Sequence, residues 1–352
     1  MTAQNYYMYG VIPADCAMCF GSIGIGSSEV WAVPEDGIAA VAGTIDRTDF
    51  TALGPELAIR RLAEHQRVLE RVMDSSTVIP IKFGTCAADQ EQILGILRAG
   101  REQFAQALAR YAGKVELDVA ALWCDLRAVL VELGDYEPVA SMKAEIAAQS
   151  QPTIEQRVRL GQLVKELLDK KREAVAAQLV VALRSDWPEV VVNPTRDDSM
   201  VFSAAVLADR SEQAQFDQAL EKLSRCYQNR LNFRRVGPLP PYSFATAEVQ
   251  TLDRGALDAA RQVLELGERA SLTQIRAARR RLLQQCHPDR NPDQRAGQRV
   301  QEITAASELL EQYAVNVKHA FGAAGGESLA IVNIKSLSEL RDEASVAIAR
   351  AA

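Results

Sequence analysis

The sequence predicts an α+β body of two consecutive domains followed by an all-helical module. Three observations carry this. Up to about residue 236, strand-like apolar runs alternate with stretches of helical period. A proline-dense segment, Gly237-Pro238-Leu239-Pro240-Pro241, then interrupts the pattern. Beyond it, residues 255–315 show helical periodicity alone. A length of 352 residues accommodates this division, since domains commonly run to ~100–200 residues.

The first domain is expected over residues 1–112. Residues 6–12 read as a strand, and 30–33 and 38–44 as a hairpin whose turn chemistry comes from Pro34, Asp36 and Gly37. Residues 56–73 place Leu57, Leu62, Leu69 and Val72 at helical spacing. Residues 77–83 read as a strand closed by Gly84, and 89–111 as an amphipathic helix capped by Asp89.

The second domain is expected over residues 113–236. A strand at 114–123 precedes a less periodic stretch, 125–149, that reads as containing a helix. A long helix over 153–184 is capped by Thr153. Strands at 189–192 and 200–208 flank an Asn193-Pro194 turn, a helix over 211–227 is capped by Ser211, and a strand over 230–236 closes the domain. The order β-α-β-β-α-β, with an insertion after the first strand, is the ferredoxin-like order, with both helices on one face of an antiparallel sheet.

Residues 237–254 read as a closing segment and linker, 255–315 as the helical module and 316–352 as a tail in which 336–351 could form a weak amphipathic helix. In the module, Leu257, Ala260 and Leu264 share one helical face. Ser271-Leu272-Thr273-Gln274 is a capping box. The helix it opens carries Leu272, Ile275, Leu282, Leu283 and Cys286 on one side and Arg276, Arg280 and Arg281 outside that stripe. A third helix over 296–314 turns Val300, Ile303, Ser307 and Leu310 inward.

Composition narrows the function. A net charge of -6 does not suggest nucleic-acid binding. No apolar run approaches the ~18–20 residues of a membrane span, and the first residues do not read as a secretory signal, so a cytoplasmic location is expected. The six cysteines, at 16, 19, 86, 124, 226 and 286, are sparse and irregular, as for free thiols in a reducing compartment.

Enzyme-like constellations are weak. Cys16-Ala17-Met18-Cys19 has metal or redox spacing but no second pair to complete a zinc site. The glycines at 21, 24 and 26 lack the lysine of a phosphate loop and read as a flexible loop. The three histidines, 65, 287 and 319, show no relay or triad spacing, and His65 reads as structural or surface. No catalytic residue, metal or cofactor is expected.

Two resemblances give the reading direction. The run Leu264-Glu265-Leu266-Gly267, Ile275, the basic second helix, His287-Pro288-Asp289-Arg290-Asn291 and Ala305-Ala306 resemble a J-domain over about residues 255–315. The resemblance implies docking on a DnaK-type ATPase through His287, Pro288 and Asp289. Arg276 and Arg280, one turn apart, and Arg290 would steer toward an acidic partner. Arg279 departs from the pattern: it stands where the family usually has an aromatic core residue, and the wheel puts it in the apolar stripe. Its stem would have to pack while its head reaches solvent.

Several runs in the body resemble the gas vesicle protein F/L family (GvpF/GvpL): Tyr9-Gly10-Val11, Ile38-Ala39-Ala40-Val41, and His65 with Val68-Leu69. They continue with Val78-Ile79-Pro80-Ile81-Lys82-Phe83-Gly84-Thr85, Gly113-Lys114-Val115-Glu116-Leu117, and Gly237-Pro238-Leu239-Pro240-Pro241-Tyr242-Ser243-Phe244. The resemblance implies an accessory or minor protein of gas vesicles, non-enzymatic, that contacts the hydrophobic shell subunit and other accessory proteins. The J-domain would add a DnaK-type chaperone as partner, and neither nucleic acid nor membrane is expected. A dedicated co-chaperone whose body recognises clients, and an enzyme on the ferredoxin-like sheet, are the competing readings.

Overall fold

In a computed structural model of the chain, the described residues are 5–15, 19–46, 50–149, 151, 153–228, 230–267, 270–286, 296–316, 328–337 and 339. They form two compact units. One takes the chain up to Ala112 together with Ala245–Lys335; the other takes Gly113–Phe244 and the chain from Ser336.

The first unit opens with β1 (Asn5–Pro13), β2 (Cys19–Gly21), β3 (Val30–Glu35) and β4 (Ile38–Ile45), then α1 (Pro55–Met73), β5 (Ile79–Pro80), β6 (Cys86–Ala87) and α2 (Gln90–Arg110). The sheet order is β2-β3-β4-β1-β5, with β6 also on β1. Central β1 is buried from Tyr7 to Ile12, which is why it reads as a continuous apolar run. The β3–β4 turn sits at Asp36 and Gly37, both at positive φ (44° and 89°), the conformation a two-residue hairpin turn demands. Asp89 caps α2 as expected, its side chain accepting from Gln92 N at 2.8 Å.

Two expectations change here. The strand expected over 77–83 shrinks to Ile79–Pro80, because proline offers no N–H to a ladder. The chain then runs on beside β1 through Ile81 N to Tyr9 O (2.9 Å) and Met8 N to Thr85 O (3.0 Å). On α1, Val68, Leu69 and Val72 are fully buried, but Leu57 and Leu62, on its first turns, stay 42% and 47% exposed.

The second unit comprises β7 (Lys114–Trp123), α3 (Leu126–Gly134), α4 (Glu137–Ala147), α5 (Ile154–Arg184), β8 (Val190–Val192), β9 (Met200–Asp209), α6 (Gln213–Cys226) and β10 (Leu231–Leu239). Its sheet order, β10-β7-β9-β8, is antiparallel throughout and is the ferredoxin-like arrangement. The stretch 125–149 holds two helices, α3 and α4. Thr153 closes a full capping box with Gln156 on α5. Ser211 does not cap α6: Asp209 and Glu212 form the capping box, around a 3-10 turn over Arg210–Glu212.

Residues 237–254, expected as a closing segment and linker, divide in two. Strand β10 continues through Gly237-Pro238 to Leu239, with an irregular register between Val236 and Leu239. It lies at the sheet edge, where proline is tolerated. Residues 246–253 are not a linker but strand β11 (Thr246–Asp253), and the module follows as α7 (Arg254–Val263), α8 (Leu272–Gln285) and α9 (Ala296–Asn316). The region taken as a tail supplies β12 (Ser328–Lys335), which pairs antiparallel with β11 from Thr246↔Lys335 to Asp253↔Ser328. The pairing spans more than seventy residues of chain, so no local pattern announces it. Apart from 336, 337 and 339, the helix expected over 336–351 lies outside the described residues.

Candidate docking surface

Helix α8 is set by its cap. Ser271 Oγ accepts from Gln274 N at 3.3 Å, and Gln274 Oε1 accepts from Ser271 N at 2.7 Å. The helix then buries Ile275, Ala278 and Leu282 among Leu257 and Ala260 of α7, Leu264 just past its end, and Ile303, Ala306 and Leu310 of α9. These all lie at three- or four-residue spacing, the stripe one helix face offers its neighbours. Ser307, fully buried, donates its hydroxyl to Thr304 O at 2.8 Å, so it enters the core without an unmet donor.

The opposite face carries the arginines. Arg276 and Arg280 are exposed and one turn apart, as the spacing required. Arg276 Nε meets Glu311 Oε2 at 3.1 Å, and Arg281 Nη2 meets Glu265 Oε2 at 2.8 Å. Exposed pairs of this kind hold little energy, so a partner carboxylate can exchange for Glu311. Arg280 forms no ion pair among the described residues. Arg279 is half-buried beside Ala278. The small alanine, not the arginine, occupies the core position. His287, Pro288, Asp289 and Arg290 lie outside the described residues. The acidic partners Glu265 and Glu311 were not singled out from sequence: they come from α7's end and from α9, and only the packed bundle brings them to α8.

In the N-terminal domain, His65 is structural. It is 2% exposed within an aromatic group of Tyr7, Tyr9 and Phe83, with ring separations of 5.7, 5.7 and 5.8 Å. Burial pushes its pKa down to about 4, so the ring is neutral at neutral pH. Tyr7 Oη accepts from Gly84 N at 3.0 Å and shares a hydrogen bond of 2.9 Å with His65 Nδ1. Thus the run ending in Phe83-Gly84-Thr85 is pinned to α1 through one tyrosine.

The glycine loop after β2 is closed on itself. Every amide from Ile23 to Ser28 has an acceptor within the chain, including Tyr9 Oη for Ile25 (2.8 Å) and Glu64 Oε2 for Gly26 (3.2 Å). No amide cradle is left for a phosphate. The 250 Å³ pocket beside it is lined by Ile25, Gly26, Ser28, Thr44, Ile45, Asp46 and Arg61, and that arginine is already paired with Glu64 at 2.8 Å. Cys19 is exposed on β2 and Cys16 lies outside the described residues.

The second unit holds a buried carboxyl. Glu116 on β7 is 2% exposed; it accepts from Ser243 N (2.7 Å) and from Ser243 Oγ (2.8 Å) in the closing segment. Burial, and then the Asp118 carboxyl two residues along the strand, push Glu116 up to about 8. Gly237 fits this junction at φ +125°, with an added Cβ placed 2.8 Å from Glu116 O. No local signal marks Glu116, because its burial depends on Ser243, more than 120 residues away.

A family model described as gas vesicle synthesis protein GvpL/GvpF matches residues 5–246, and a DnaJ domain model matches residues 262–314. The chain is 24% identical over 246 residues to gas vesicle protein F of Nostoc sp., covering 69% of this chain and 98% of the relative. It is 22% identical over 255 residues to gas vesicle protein F2 of Halobacterium salinarum, covering 71% and 95%. The crystal structure of GvpF from Anabaena sp. PCC7120 superposes with a TM-score of 0.56 at 22% identity, covering 68% of this chain and 97% of that one; GvpF from Microcystis aeruginosa gives 0.53 at 21%, covering 68% and 98%. These superpositions show that the body has the same fold.

Proposed function

The chain belongs to the GvpL/GvpF family of gas vesicle synthesis proteins and carries a DnaJ domain, and from that premise we propose that it is a non-enzymatic assembly factor. Its body binds the hydrophobic vesicle shell subunit, and its J-domain recruits a DnaK-type chaperone to that subunit in the cytoplasm and at the growing vesicle. The observation that carries this reading is the joining, in one chain, of a vesicle-protein body and a module whose α8 presents Arg276 and Arg280 to solvent. A soluble shell subunit exposes apolar surface that aggregates unless covered. A factor that binds it and summons an ATP-driven chaperone answers that problem. The non-enzymatic reading is supported by the closed glycine loop, by His65 held neutral among aromatics, and by a Glu116 carboxyl sealed under Ser243.

The test is pressure-collapsible light scattering from vesicle-forming cells lacking the gene, complemented by wild type or by His287→Gln at matched protein levels. Wild type alone should restore the signal. Equal rescue by both would remove the chaperone step, and an undiminished signal in the deletion would remove the assembly role. Pull-down of shell subunit by the wild-type chain checks the binding step separately.

A further inference from the structure

We infer that β12 is a strap that mounts the J-domain rigidly on the N-terminal domain, so that a chaperone docked on α8 acts on a client held by the same chain. This rests on the reading above for its client and chaperone, and on the following geometry for the mount.

Beyond Thr246, the last residue of the body match, the two strands that bracket the module lie outside both family matches: the J-domain match covers 262–314, whereas β11 runs to Asp253 and β12 spans Ser328–Lys335. Helix α7 starts at Arg254, the residue after β11 ends, so no spacer separates strand from module. At its centre strand β12 is buried on both faces, through Ile331 and Val332, as the two-residue alternation of a strand allows. Ile331 enters the module's core with Leu257, Ile275 and Ile303. Val332, pointing the other way, packs on α2, where a Cβ on Gly100 would lie 2.9 Å from Val332 Cβ. Gln103 Nε2 donates to Val332 O at 3.3 Å.

The root is fixed as well. Ala247 is fully buried, and its carbonyl accepts from Lys82 N at 2.9 Å, beside a parallel bridge to Ile81. Glu248 receives Lys82 and, at 3.1 Å, Lys335. The module is therefore tied to this ladder at its N-terminal end, where α7 follows β11, and through Ile331 in its core, while the same ladder packs on the N-terminal domain. A flexible linker spreads a tethered group over a wide volume, whereas a fixed mount keeps it at one distance.

The experiment is NMR relaxation of the intact chain, comparing α8 and α9 amides with those of β1 and β4, in wild type, Val332→Glu and Lys335→Glu. The first variant puts a charge against α2. The second sets two carboxylates together at the root on a residue that leaves the module core untouched. In wild type the module should share the rotational correlation time of the sheet; in the variants its correlation time should fall severalfold. A wild-type module that already tumbles separately overturns the strap, whatever the vesicle phenotype. The same variants, assayed in trans, should stimulate a DnaK-type ATPase as wild type does yet give reduced vesicle scattering. Full vesicle rescue by a freed module overturns action on the same chain's client. A rigid wild-type module in a strain that never needs the gene keeps the mount and removes the assembly role instead.

Discussion

Replacing Glu116 with glutamine removes one titrating proton from the second unit while keeping the shape of the side chain. In the folded chain the group holds its proton to about pH 8, against an ordinary value of 4.5, because it is buried and Asp118 lies beside it. An acid whose folded pKa is raised takes up a proton on folding, so stability falls as pH rises from the unfolded value to the folded one. Each pH unit in that window costs about 1.4 kcal/mol. Between pH 6 and 8 the wild-type chain should therefore lose roughly 2–3 kcal/mol on this account, and little more above pH 8. A glutamine in its place would not titrate. Its carbonyl can still accept from Ser243 N, and the Ser243 hydroxyl can turn to accept from the new amide. Urea unfolding followed by tryptophan fluorescence reads the difference, since Trp123 and Trp187 are buried in this unit. The advantage of Glu116→Gln over wild type, already present at pH 6, should grow by roughly 2–3 kcal/mol between pH 6 and pH 9. Parallel stability curves between pH 6 and 9 would refute the argument: Glu116 would then be ionised in the fold, and Ser243 would be donating to a carboxylate.

Other perturbations follow from the same geometry. His65, pushed down to about 4 by burial from an ordinary 6.5, contributes stability that is present above pH 6.5 and lost as pH falls toward 4. The loss should be roughly 3 kcal/mol, and His65→Phe should blunt it in urea titrations at pH 7 and 4.5. Gly237→Ala puts a Cβ 2.8 Å from Glu116 O at φ +125°; it should cost about 1–3 kcal/mol, seen as a lower urea midpoint with an unchanged slope. Ile303→Ala empties a fully buried position in the J-domain core, with an expected cost of about 2–5 kcal/mol. It should abolish stimulation of a DnaK-type ATPase while leaving the Trp123 and Trp187 transition in place. Ser271→Ala, which removes the α8 cap, should cost about 1 kcal/mol in the same module's thermal transition.

Much of this fold is written locally. The caps Asp89, Thr153 and Ser271 accept amides within three residues of themselves, so sequence alone marks where α2, α5 and α8 begin. The βαββαβ order was legible because each element of the second domain carries its own period, and the module's core residues follow from helical spacing. Where propensity and packing compete, the sequence misleads: Pro80 shortens a strand that apolar residues alone would extend, and a 3-10 turn capped by Asp209 precedes α6 where Ser211 was expected to cap it. The candidate site was half legible. Arg276 and Arg280 share a face by spacing, but Glu311 and Glu265 reach α8 only through bundle packing.

What tertiary structure alone decided involves distant partners. Eight residues that read as a linker and eight that read as tail become β11 and β12, because each satisfies the other's backbone across the whole J-domain. Neither has a sharp alternating pattern, since the centre of β12 is buried on both faces, at Ile331 and Val332, and β11 is mixed in character. Likewise Glu116 reads as an ordinary strand carboxylate until Ser243 covers it. Periodicity and capping are properties of neighbouring residues and are legible in a chain; burial and pairing over a hundred residues belong to the folded whole.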